Sequence, residues 1–141
     1  MDEAEARRRF GEGRVAHLAT VDTAGQPQVM PMVFAVEEDR VYGIVDAKPK
    51  RSQRLKRLAN IAANSRVSLV VDHYAEDWST IWWARADGVA EVVERGPRRD
   101  RAIALLRAKY PQYADPLYAF GAAVVITVAR WRGWSADWSR T

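Results

Sequence analysis

Residues 46–64 read DAKPKRSQRLKRLANIAAN and place six cations within ten positions, 48–57. Pro49 excludes a helix through Lys48, because a proline pushes the preceding residue out of the right-handed helical region. A helix is therefore predicted to begin just after Pro49, with Ser52 as a candidate N-cap. Three apolar residues recur at helical spacing and are predicted to form its buried face: Leu55, Leu58 and Ala62.

The cations of this segment are predicted to share one ridge of the helix, where Lys50, Arg54 and Arg57 stand one turn apart. Free backbone amides at the helix start would add to their charge, and both features attract phosphate or carboxylate groups. The alternative is a solvated basic face, which is what most charge runs are. The concentration of charge at a strand-to-helix junction favours an anion site.

Composition narrows the class of protein. The chain has 141 residues and a net charge of +4, which fits one domain, residues 1–141, with a preference for anionic ligands. It has no cysteine and two histidines, which excludes disulfides and thiolate metal sites and argues against a metal centre. The N-terminus lacks an apolar signal region, and no apolar run reaches membrane-spanning length. We expect a soluble, cytoplasmic protein without membrane contacts.

Hydrophobic patterning predicts a mainly β fold. An N-terminal helix (1–13) and a helix over 98–109 flank the β segments, and a tryptophan-rich tail occupies 131–141. Asp87-Gly88 is predicted to mark a bulge. Consecutive hairpins favour an antiparallel six-stranded Greek-key barrel with flanking helices. The predicted strands are 14–21, 28–36, 41–46, 66–73, 80–93 and 122–129.

Pro31 within the strand 28–36 requires an edge or a bulge at that position. Met30, Pro31 and Met32 there fit either a core or a surface beside a flat ring system. Trp82 and Trp83 are neighbours on one strand, so their rings should point to opposite faces. No nucleophile, metal or phosphate-loop motif is present, so an enzyme of this sequence would take its chemistry from a cofactor.

Four segments resemble a known superfamily. HLATVDTAGQPQVMPMVFAV (17–36) is similar to the opening hairpin of the pyridoxamine 5′-phosphate oxidase-like split β-barrels. KPKRSQRLKRLANIAANSRVSLVVDHY (48–74), DWSTIWWARADGVAEV (77–92) and RWRGWSA (130–136) resemble its actinobacterial branch of F420-dependent oxidoreductases. The chain departs from that pattern at Asn64-Ser65, where the family carries Asn-Pro.

The resemblance implies a split barrel that forms a homodimer, with a flavin or deazaflavin in a groove between the subunits. It assigns the cofactor's phosphate to Lys50, Arg51, Ser52 and Arg57. It assigns the ring to the strand positions Gln28, Met30, Pro31 and Met32, to the strand end at Val45 and Asp46, and to Trp78 from the second chain.

The leading hypothesis is an enzyme that transfers a hydride from reduced coenzyme F420 to an unsaturated small-molecule substrate. The surplus of cations suits the polyanionic tail of F420. The first alternative is an FMN enzyme of the same barrel, either pyridoxamine phosphate oxidase-like or a flavin reductase. The second is a non-catalytic cofactor carrier, or a barrel that binds single-stranded nucleic acid. Nucleic acid is the weaker option, since the aromatic residues do not interleave with the basic segment.

Overall fold

The computed structural model describes residues 1–46 and 51–136, and for Asp46 and residues 51–55 it describes the backbone alone. Within these ranges the chain forms three α-helices and seven β-strands, with short 3₁₀ turns at Trp78–Thr80 and Pro111–Tyr113. The helices are α1 (Glu3–Glu12), α2 (Arg51–Ala63) and α3 (Pro97–Lys109). The strands are β1 (Ala16–Val21), β2 (Pro27–Met32), β3 (Ala35–Glu37), β4 (Arg40–Asp46), β5 (Arg66–His73), β6 (Trp82–Val93) and β7 (Phe120–Ser135).

The described strands form one antiparallel sheet in the order β2-β1-β5-β6-β7-β4-β3. Its two edge strands, β2 and β3, are joined by only Val33 and Phe34, so Met32 and Ala35 lie within about 11 Å of each other. The sheet must therefore roll up until its edges nearly meet, which makes it a split barrel. β5, β6 and β7 are successive neighbours and β4 returns beside β7, which is the predicted Greek key.

The prediction of six strands is wrong by one, because the run 28–36 divides at Val33 and Phe34. Phe34 leaves the ladder: its N–H donates to the Tyr110 hydroxyl at 3.1 Å, and its carbonyl accepts from that hydroxyl at 2.9 Å. The strand before the break pairs with β1 and the strand after it pairs with β4. The predicted edge position of Pro31 is confirmed, since β2 is an edge strand.

The prediction of a tail over 131–141 is wrong for residues 131–135, because β7 continues to Ser135 and pairs with β6. Trp131 is buried, and its indole Nε1–H donates to Asp39 Oδ1 at 3.1 Å. The bulge predicted at Asp87-Gly88 is confirmed by a shift in the β6–β7 register there. Trp138 and the rest of 137–141 lie outside the described residues.

Two apolar cores stabilise the fold. The barrel interior is covered at one end by α1, where Phe10 has no exposed surface, and near the other end by α2, through Ile61. The second core lies between α3, with Leu106 at its centre, and the outer face of β4 and β7. In the described part of the chain, the outer face of β2, β1 and β5 is left without a helix over it.

The end of α3 is fastened to the barrel by two neighbouring side chains. The Tyr110 hydroxyl lies 2.9 Å from the Arg14 carbonyl as well as from that of Phe34. Lys109 Nζ lies 3.8 Å from the centroid of the Phe34 ring and donates to the Gly11 carbonyl at 3.2 Å. Burial, and secondarily the charge of Arg14, lowers the pKa of Lys109 to about 8.

Because the pKa of Lys109 is lowered on folding, the free energy of unfolding should rise between pH 8 and about pH 10. In that window the unfolded chain, in which the lysine pKa is 10.5, binds more protons than the folded one, so unfolding becomes harder. We expect a contribution of about 1–2 kcal/mol, allowing for the partial exposure of the side chain. Urea unfolding across this range should show the rise in wild type and in Lys56→Met, and lose it in Lys109→Met. A rise of equal size in Lys109→Met would contradict the assignment.

Candidate functional site

The basic helix lies where it is predicted, since α2 begins at Arg51, directly after the segment that contains Pro49. Ser52 stands in its first turn and not before it, so the N-cap prediction for Ser52 is off by at least one residue. Lys50 lies outside the described residues, as do the side chains of Asp46, Arg51 and Ser52.

The buried face of α2 differs from the predicted one. Ala62 is exposed and Leu58 is half-buried, whereas Asn60 and Ile61 are buried. Leu55 belongs to the residues described by backbone alone. The face that meets the barrel is therefore partly polar, because it passes through Asn60.

Asn60 ties the helix to the first hairpin. Its side-chain amide donates to Thr20 Oγ1 on β1 at 3.2 Å and to Gln28 Oε1 on β2 at 3.1 Å. Thr20 and Gln28 face each other across the hairpin. Since Oε1 of Gln28 accepts from Asn60, its amide nitrogen keeps two N–H donors for another acceptor. Asn60 and Thr20 are not predicted from the sequence, although the three-residue spacing of Arg57 and Asn60 places both on one face of α2.

Arg57 lies one turn before Asn60 on the same side of α2. Its Nε is buried and has no hydrogen-bond partner in the described part of the chain. Burial lowers the pKa of this guanidinium, but an arginine keeps its proton at neutral pH. The Arg57 side chain as a whole is half-buried, and a desolvated guanidinium nitrogen without a partner is costly, so the position is stabilised whenever an anion binds beside it.

The other predicted ring positions are divided between surface and core. Gln28 and Met30 are half-buried and Pro31 is exposed. Met32 and Val45 are buried in the barrel interior, with exposures of 5% and 6%. Met32 packs so close to β4 that its Sδ would lie 2.7 Å from a Cβ at Gly43. The side chains of Met32 and Val45 therefore shape the barrel wall, and only their backbone could meet a ligand.

The uncovered outer face of the sheet carries a cleft of about 650 Å³ between β1, β5, β6 and β7. Arg66 and Arg130 line it, as does Asp87, which accepts from Ser68 Oγ at 2.7 Å and pairs with Arg85 at 3.1 Å. Further along the same face Trp83 stands opposite Trp134, and Trp82 packs inward, as predicted for the tryptophan pair. The face offers both aromatic surface and cations.

Trp78 lies at the start of a 3₁₀ turn and is 76% exposed. Among residues 1–46 and 51–136, no cluster of three or more His, Asp or Glu side chains could hold a metal ion. No helix in the same ranges is long and apolar enough to cross a membrane.

The model of one protein family, pyridoxamine 5′-phosphate oxidase, matches residues 2–135 of this chain. The chain therefore belongs to that family. This agrees with the split-barrel fold and with the resemblance found in the sequence.

One relative is the 5a,11a-dehydrotetracycline/5a,11a-dehydrooxytetracycline reductase of Streptomyces rimosus subsp. rimosus. It is 32% identical over 95 residues, a match that covers 67% of this chain and 63% of the relative. The matched part is thus less than two thirds of that protein's length.

Two solved structures share the fold. A conserved hypothetical protein from Mycobacterium tuberculosis superposes with a TM-score of 0.78 at 23% identity, covering 100% of this chain and 89% of its own. An FAD-binding protein from Mesorhizobium loti superposes with a TM-score of 0.69 at 22% identity, covering 94% of each chain.

Proposed function

We propose that this member of the pyridoxamine 5′-phosphate oxidase family is an oxidoreductase that uses coenzyme F420. In the proposed reaction a hydride from reduced F420 and a proton from solvent add across a carbon–carbon double bond of the substrate, leaving oxidised F420 and a saturated product. The reductase name of the Streptomyces relative supports a reaction of this type. An FMN enzyme of the same barrel is the alternative.

The observation that carries the proposal is the buried Nε of Arg57, which has no partner among the described residues. A half-buried cation with an orphaned Nε, one turn before the Asn60 that holds the amide of Gln28, fits a ligand that has both an anionic group and ring acceptors. Arg57 would bind the phosphate together with Lys50, Arg51 and Ser52, the other positions that the family resemblance assigns to it. The amide of Gln28, held by Asn60, would donate to the ring.

In this scheme the chain's own residues bind, orient and shield. The backbone at Met30 and Pro31 would run beside the ring, and the backbone of Val45 and Asp46 would support it from β4. Bound F420 supplies the hydride chemistry, and we assign no side chain as a dedicated acid or base. The groove needs only to exclude water and to hold the two reactants in contact.

Titration of the purified protein with F420 and, separately, with FMN tests the cofactor. Tryptophan fluorescence should be quenched by F420 with a Kd in the micromolar range, and FMN should bind at least about tenfold more weakly. Turnover of 5a,11a-dehydrotetracycline with reduced F420 is the first reaction to assay. Quenching by FMN alone would indicate an FMN enzyme, and no quenching by either cofactor would contradict an oxidoreductase role.

We further propose that two copies of the chain pack through the uncovered outer face and complete the cofactor groove. Val29 on β2 is 61% exposed and Trp134 on β7 is 41% exposed, although both are apolar. Exposed apolar side chains on a sheet face are typical of an interaction surface. A second copy would also bring its Trp78 to the groove, as the resemblance implies.

A charge at Val29 should separate the two copies. Val29→Lys adds a cation to a proposed contact face that already carries Arg66 and Arg130, so its dimer should dissociate at least about tenfold more readily. Sedimentation at about 10 μM protein should give a dimer for wild type and a monomer for the variant. Leu117→Lys is the matched control, since Leu117 is 88% exposed on the loop before β7 and should leave the dimer intact. A monomeric wild type would contradict the proposal.

A further inference from the structure

A second cleft lies between the end of α3 and the base of the first hairpin. Its volume is about 430 Å³, within the range of small-molecule sites. The residues that line it include Arg14, Val15, Val33, Tyr110, Tyr113 and Tyr118.

The aromatic rings of this segment form a continuous cluster. Tyr113 packs edge-on against Tyr118, with ring centroids 4.9 Å apart, and against Phe120 at 5.3 Å. Tyr118 and Phe120 are 4.9 Å apart, and Tyr110 lies 6.1 Å from Tyr113. Such packing presents ring faces and edges to a flat aromatic ligand.

Three cations lie over rings of this cluster, Arg14 and Lys109 over Tyr110 and Arg107 over Phe120, and Arg14 is the one that lines the cleft. The guanidinium of Arg14 lies 4.6 Å from the centroid of the Tyr110 ring, and its Nη2 donates to the Lys109 carbonyl at 3.1 Å. It forms no ion pair with a carboxylate in the described part of the chain. Of its five N–H donors only that one is used, so Arg14 can bind an oxyanion without giving up an existing partner.

The cleft is preformed. The Tyr110 hydroxyl bonds the backbone of both Arg14 and Phe34, which fixes the end of α3 to the hairpin base and to the crossing between β2 and β3. A rigid site loses little conformational entropy on binding, so modest contacts suffice for measurable affinity.

Two strands, β2 and β7, connect the surroundings of the cleft to residues of the proposed cofactor groove. Val33 directly follows β2, which carries Met30 and Pro31, and Phe120 stands opposite Asp46 in the β4–β7 register. We propose that this cleft is the substrate subsite and that it takes a planar aromatic anion, with Arg14 binding a phenolate or carboxylate oxygen and the tyrosines contacting the rings. The subsite role rests on the proposed oxidoreductase function.

The test uses 1-naphthoate as the planar anion and 1-naphthamide as its neutral isostere, with the cofactor-free protein. We expect 1-naphthoate to shift the amide resonances of Val15, Val33 and Tyr113, and 1-naphthamide to bind about tenfold more weakly. Arg14→Gln should weaken 1-naphthoate binding about tenfold and leave 1-naphthamide binding unchanged. Equal affinity for the two probes, or shifts that map elsewhere, would overturn the proposal.

Arg107 provides the matched control, because it also lies over a ring, 5.0 Å from that of Phe120, and also bonds one backbone carbonyl, that of Tyr113. It does not line the cleft, so Arg107→Gln should keep the affinity for 1-naphthoate. Equal losses in both variants would mean that the arginines only hold the turn, which would overturn the anion role. If 1-naphthoate binds and F420 does not, the cleft stands and the proposed function fails; the reverse result refutes the cleft alone.

Discussion

Arg57→Met should weaken F420 binding by roughly 10- to 150-fold and leave the free energy of unfolding unchanged or higher by about 1 kcal/mol. The two effects separate because Arg57 Nε is buried and has no hydrogen-bond partner in the described structure. Removing it breaks no internal bond, and methionine fills a similar volume with apolar atoms. The bound anion, in contrast, loses a charge-assisted contact of about 1.5–3 kcal/mol.

Lys56→Met is the control for this variant, since Lys56 is the preceding residue of the same helix and is exposed. Fluorescence titration with F420 should give nearly the wild-type Kd for Lys56→Met, and urea unfolding should be measured on all three proteins. Equal losses of affinity and stability in Arg57→Met would make Arg57 a structural residue. An unchanged Kd would contradict the phosphate-binding role of Arg57, on which the cofactor proposal rests.

The basic segment was predictable because several local rules agree there. Pro49 stops a helix before it, and helix-forming residues continue without a break to Ala63, where α2 ends. The same agreement holds for β5, predicted over 66–73 and found over Arg66–His73. Where proline, apolar spacing and turn residues all favour the same element, that element can be predicted without knowledge of its distant contacts.

Two predictions were wrong where the local structure depends on residues that are distant in the sequence. Nothing in the run 28–36 indicates the break at Phe34, because its cause is the hydroxyl of Tyr110, 76 residues away. The buried face of α2 was misassigned for a similar reason: Asn60 is polar, and its burial depends on partners on β1 and β2. The choice of F420 as the proposed cofactor has no local sequence signal either, and it rests on the family resemblance.

The end of β7 was missed for a different reason, because its two tryptophans lie on opposite faces of the strand, with Trp131 buried and Trp134 41% exposed. Residues 130–135 alternate between positions that face the barrel and positions that face outward, as Trp131 and Ser135 are buried whereas Arg130 and Arg132 are exposed. The density of arginine and tryptophan obscured this period of two. Gly133 belongs to the inward set, and a Cβ there would lie 3.2 Å from Ala6 Cβ, so the glycine lets α1 approach the strand.

That contact makes α1 part of the core, and Phe10→Ala should therefore destabilise the protein by about 3–5 kcal/mol. Phe10 has no exposed surface, and its ring centroid lies 4.9 Å from that of Phe34 and 5.3 Å from that of Trp131. Alanine would leave a cavity that joins the helix, the β2–β3 crossing and the end of β7. Small domains have only about 5–15 kcal/mol of stability, so this loss is a large share.

Urea unfolding of Phe10→Ala, with Phe10→Leu as the control that keeps most of the volume, measures this effect. The leucine variant should lose roughly half as much stability, because the cavity it leaves is smaller. A loss below about 1 kcal/mol in the alanine variant would mean that α1 covers the barrel without stabilising it. F420 affinity of the folded variant should stay at the wild-type value, because α1 packs on Trp131 and Val71 whereas α2 packs on Thr20 and Gln28. Loss of affinity in Phe10→Ala, at a urea concentration where it is fully folded, would instead show that the two ends of the barrel are coupled.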